Sequence, residues 1–69
     1  MAEIELLSLV ALLEDISDKD LLRGRVGTVV ETLAPRVFEV DFSDDSGQTY
    51  ATRAVRADQL MRLHYRPSH

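Results

Sequence analysis

The segment Val37-Phe38-Glu39-Val40-Asp41-Phe42 alternates strictly between apolar and acidic residues. A strand repeats every two residues, so Phe38, Val40 and Phe42 share one side while Glu39 and Asp41 share the other. This pattern predicts a half-buried antiparallel strand. Its flanks say what it pairs with. Ser43-Asp44-Asp45-Ser46-Gly47 is a turn cluster that closes a hairpin onto a returning strand, Gln48 to Val55, which carries Tyr50. Ala34-Pro35-Arg36 is a turn on the other side, with Pro35 unable to donate to a ladder. Before it, Val26 to Leu33 is dense in β-branched residues, which favour strand over helix. Gly27 inside that run suggests a bulge or a close backbone approach.

The rest of the chain is read outward from this meander. Asp15 to Asp20 is polar and acidic and reads as a loop, and Gly24 suits a turn needing positive φ on the way out of it. Ala57-Asp58-Gln59 reads as one short helical turn, followed by a last strand from Leu60 to His64 and a frayed tail over residues 65–69. The N-terminal run stays open. A helix would gather Leu6, Val10 and Leu13, whereas a strand would alternate Leu7, Leu9, Ala11 and Leu13. The expected fold is all-β: a single domain over residues 1–69 with its core in 7–64, in the element order of a small SH3-like barrel. That order is strand, long polar loop, three strands in two hairpins, a 3-10 turn, and a short fifth strand.

Four segments carry a family resemblance: Leu9-Val10-Ala11-Leu12-Leu13-Glu14-Asp15, Leu22-Arg23-Gly24-Arg25-Val26-Gly27-Thr28-Val29-Val30-Glu31, Phe38-Glu39-Val40-Asp41-Phe42 and Ala57-Asp58-Gln59-Leu60. Together they resemble a family of short bacterial proteins known as domain of unknown function 4926. The resemblance runs from about Leu7 to Leu63. It implies an SH3-like barrel, makes Leu9 to Leu13 the first strand, and implies no established activity. It hints at a paired system, such as a toxin with its antitoxin. Val26-Gly27-Thr28-Val29-Val30 also looks like the core of a KOW motif, which implies contact with RNA or a ribonucleoprotein.

Size and composition narrow the function. With 69 residues the chain forms one domain, which buries only about 60% of the surface its unfolded form exposes. Every apolar strand residue is therefore expected to serve the core. There is no cysteine, so no disulfide or thiolate metal site forms. Eight basic against twelve acidic residues give a net charge of −4, which argues against nucleic acid as the main partner. No apolar run approaches the roughly 18 residues of a membrane span, and the start lacks the basic region of a signal peptide. A cytoplasmic location is expected.

Specific chemistries fail on their residues. With no Trp, two Phe and two Tyr, there is no aromatic shelf for proline-rich peptides. Counted as a calcium loop from Asp41, the positions that need Gly and Glu hold Ser46 and Thr52. His64 and His69 have no companion ligands, and no serine lies in a nucleophile-elbow context. Neither an enzyme nor a cofactor is expected. Two surfaces remain. The acidic loop, with Glu14, Asp15, Asp18 and Asp20, is a candidate docking site for a basic protein, since clustered carboxylates orient cations. Arg23, Arg25, Arg53 and Arg56 are the alternative, an anion-binding patch if the fold gathers them. A homo-oligomer joined through exposed sheet edges is the third expectation.

Overall fold

The computed structural model describes residues 4–16 and 21–63. The described chain is all-β. It has five strands, β1 (Leu9–Leu12), β2 (Val26–Ala34), β3 (Val37–Ser43), β4 (Thr49–Arg56) and β5 (Leu60–Arg62), with a 3-10 turn at Ala57–Gln59 before β5. All pairings are antiparallel, and the strands form one sheet in the order β4-β3-β2-β1-β5. The N-terminal ambiguity resolves to strand. A helix at this position would leave the ladder of β2 and β5 unmet, whereas β1 pairs with both.

The inner face carries the core. Val10 and Leu12 from β1, Val29 from β2, Phe38, Val40 and Phe42 from β3, Val55 from β4 and Leu60 from β5 form one buried cluster. Val10, Val29, Val40 and Phe42 retain no exposed surface. There is no α-helix among the described residues to cover them, so the sheet itself must curl over its own inner face. Two bulges help to bend it. Between Val29 and Glu31, and again between Thr32 and Ala34, β2 uses one more residue than β3, which tightens the local twist.

The long β1–β2 loop is not merely solvated. Leu21 is fully buried and joins the core, with Ile16 packed against it. Backbone bonds fasten both ends of the loop: the Ile16 N–H donates to the Leu21 carbonyl (2.9 Å), the Gly24 N–H to Leu12 (2.8 Å) and the Leu12 N–H to Arg25 (2.9 Å). Gly24 has φ +93, the conformation expected of it.

The two hairpin turns are built differently. In the β3–β4 turn, one Asp44 carboxylate oxygen accepts from the Ser46 N–H (2.9 Å), the Ser46 hydroxyl (2.7 Å) and the Gln48 N–H (3.0 Å). The Ser46 hydroxyl first, then the Gln48 amide, hold its pKa below the usual carboxylate value. The β2–β3 turn places Arg36 at φ 64. A side chain there costs roughly 1–2 kcal/mol, which Gly avoids at some cost in unfolded-state entropy. Arg36→Gly should therefore raise stability by up to about 1 kcal/mol. Urea denaturation checks this, and a lowered midpoint would contradict it.

Candidate functional site

The outer face of the sheet can be mapped by register. Leu9 pairs with Thr28, and Thr28 with Asp41, which pairs with Thr52. On the other side of β1, the Leu63 N–H donates to the Leu9 carbonyl (2.8 Å). One row across the sheet therefore reads Leu63, Leu9, Thr28, Asp41, Thr52. The neighbouring row places Met61 beside Ala11 and Ala11 beside Val26. Beyond the first bulge, Glu31 lies directly opposite Glu39, which pairs with Ala54.

These rows divide the face in two. Over β5, β1 and the start of β2 it is apolar: Leu9, Val26 and Met61 are 42%, 43% and 49% exposed. The expectation that every apolar strand residue serves the core is thus corrected. β1 is apolar on both faces. Val10 and Leu12 fill the inner one, and the register puts Leu9 and Ala11 on the other, where Leu9 is exposed and Ala11 is buried. Just before β1, the turn Glu5–Ser8 holds Leu7 at φ 68 with its side chain 73% exposed. The Leu7 N–H donates to the Val29 carbonyl (2.7 Å), and the buried Ser8 hydroxyl accepts from the Glu5 N–H (2.9 Å). A leucine in left-handed backbone is strained by roughly 1–2 kcal/mol, and here its side chain gains no burial in return.

Over β2 and β3 the face is acidic. Strict alternation from Val29 would aim Glu31 into the core. The bulge at Val30 turns it outward, where it meets Glu39. Like charges directly opposite each other destabilise a sheet. Neither carboxylate has a cation within ion-pairing distance among the described residues. Asp41, one row away, accepts a hydrogen bond from the Thr52 hydroxyl (2.7 Å).

The sites read from sequence fall elsewhere. Glu14 accepts from the Gln59 side-chain amide (3.2 Å), which ties it to the 3-10 turn. Asp15 accepts from the Arg23 backbone N–H (2.8 Å), bracing the loop exit. Both carboxylates have structural partners. Asp18 and Asp20 lie outside the described residues. The arginines are spread out. Arg23 and Arg25 lie at the loop exit before β2, while Arg53 and Arg56 sit on β4, at the far edge of the sheet. Register places Arg53 on the face of Val40 and Arg56 on that of Val37, so the two point to opposite sides of β4. Arg56 is engaged with Asp58 (3.0 Å) in an exposed pair. Among the described residues, no group of three or more His, Cys, Asp or Glu side chains is arranged to hold a metal ion. No described helix is long and apolar enough to cross a membrane.

Sequence reasoning missed the outer face because it assigned apolar residues to the core by default. The signal was present: in β1, Leu9 to Leu12 is apolar at every position, and a strand with one solvated face alternates instead.

The model of the family described as Domain of unknown function (DUF4926) matches residues 6–62. No curated protein and no solved structure matches the chain.

Proposed function

We propose, from the premise that the chain belongs to the DUF4926 family, that it is a non-enzymatic module for binding one dedicated protein partner. In this reading it acts as an accessory or neutralising subunit and docks through the outer face of β1, β2 and β5. The observation that carries the reading is the exposed apolar surface at Leu9, Val26 and Met61 on adjoining strands. Contiguous apolar surface of this kind marks interaction sites, because leaving it in water costs free energy that a partner recovers by covering it. The strained, exposed Leu7, two residues before Leu9 in the chain, supports the same reading, since strain with no packing gain tends to mark a functional position. The dispersal of the four arginines weighs against an RNA-binding module.

Affinity capture from native lysate tests this. The wild-type protein is expected to recover a stoichiometric protein that Leu9→Lys with Met61→Lys does not recover. Equal recovery by both, or recovery of RNA in its place, would refute the reading.

A further inference from the structure

Resting on that docking reading, we infer that the partner presents a basic amphipathic helix, whose apolar side covers Leu9, Val26 and Met61 and whose cations meet Glu31, Glu39 and Asp41.

Charge complementarity selects this occupant. The apolar and acidic halves are contiguous, joined through the row Leu9, Thr28, Asp41. Neighbouring strands lie about 5 Å apart, so a helix about 10–12 Å across covers two to three of them. Laid over β5, β1 and β2, such a helix has its flank above β3, where Glu39 and Asp41 stand. Lysine or arginine along that flank neutralises the facing carboxylates of Glu31 and Glu39. The like-charge pair that is unfavourable in the isolated protein then becomes an attractive feature of the complex.

A second copy of this chain fits less well. Stacking the full outer faces about a two-fold axis sets apolar half on apolar half, with acidic half on acidic half, or else sets each apolar half on an acidic one. The first arrangement confronts carboxylates with carboxylates, and the second buries them without partners. A chain of net charge −4 adds long-range repulsion to both.

The test uses a synthetic amphipathic helix of leucine and lysine, roughly five turns long. Its controls are a scrambled peptide of identical composition and a peptide with glutamate in place of lysine. Binding to the full chain is followed by fluorescence anisotropy. The leucine–lysine helix is expected to bind at least tenfold more tightly than either control. Glu31→Gln with Glu39→Gln should weaken it about tenfold. Asp45→Asn with Asp58→Asn removes the same charge elsewhere and should change it less than twofold. Equal loss in the two double variants, or equal binding of the scrambled peptide, would overturn the inference, as would a dimer in sedimentation that Leu9→Lys disperses. Capture of the native partner separates this inference from the reading beneath it. A partner lost with Leu9→Lys and Met61→Lys but retained with Glu31→Gln and Glu39→Gln leaves the docking face standing and refutes the basic helix. A partner retained by both double variants refutes both.

Discussion

Leu21→Ala is expected to remove about 2–5 kcal/mol of stability, although Leu21 belongs to a loop. Its side chain has no exposed surface and lies in the same cluster as Val10, Leu12 and Phe42. Truncation removes apolar contact and leaves a cavity that the surrounding sheet cannot close. The Leu21 carbonyl also accepts from Ile16, so loosening this residue frees the loop at its base. A core of this size rarely supplies more than about 3–5 kcal/mol, and the variant should be largely unfolded at room temperature. Leu22, the next residue, is 47% exposed, and Leu22→Ala should stay within about 0.5 kcal/mol of wild type. Urea denaturation followed by circular dichroism compares the two. Similar midpoints would show that the loop is not anchored through Leu21.

Gly27→Ala is the second large effect, and it acts by crowding. A β-carbon at Gly27 would lie 2.6 Å from Val40 Cγ1, 2.7 Å from the Asp41 carbonyl oxygen and 3.0 Å from Phe42 Cδ1. Val40 can change rotamer only by leaving its packed position. The Asp41 oxygen is backbone and moves only with the β2–β3 ladder. Overpacking of this kind costs roughly 1–3 kcal/mol, and the backbone contact points to the upper end. Gly24→Ala is the contrast: nothing lies within 4 Å of that site, and its cost is conformational, from φ +93. Thermal melts of the two variants should order Gly27→Ala below Gly24→Ala. A Gly27→Ala protein as stable as wild type would mean that β2 and β3 can separate without loss.

These two residues also show how much of the molecule was legible in advance. The alternation at Val37 to Phe42 is a local property of the chain, and β3 follows it, with Phe38, Val40 and Phe42 inward. Gly27 announced a close approach, and the close approach is there. Leu21 did not stand out, because its burial depends on the sheet curling over the loop, which no short window of sequence contains. The position of Glu31 was equally hidden. Periodicity aims it inward, and only the pairing of β2 with β3 reveals the bulge that turns it out. Asp15 looked like surface charge until the fold brought the Arg23 amide to it. Composition and spacing therefore reached the strands and turns. The apolar and acidic halves of the outer face exist only once β5 and β3 are placed on either side of the β1–β2 pair.

The strand order has a kinetic consequence. β2, β3 and β4 are joined by short turns, so their pairing closes small loops and can form early. β1 is different: its partner Leu60 lies roughly 50 residues beyond Leu12, and closing so long a loop costs entropy before any contact repays it. During synthesis, β1 therefore waits for β5 with Leu9 to Leu12 lacking half its ladder. A protein that meets its partner through Leu9 and Met61 has no finished binding face until that closure occurs, so folding and recruitment are ordered in time.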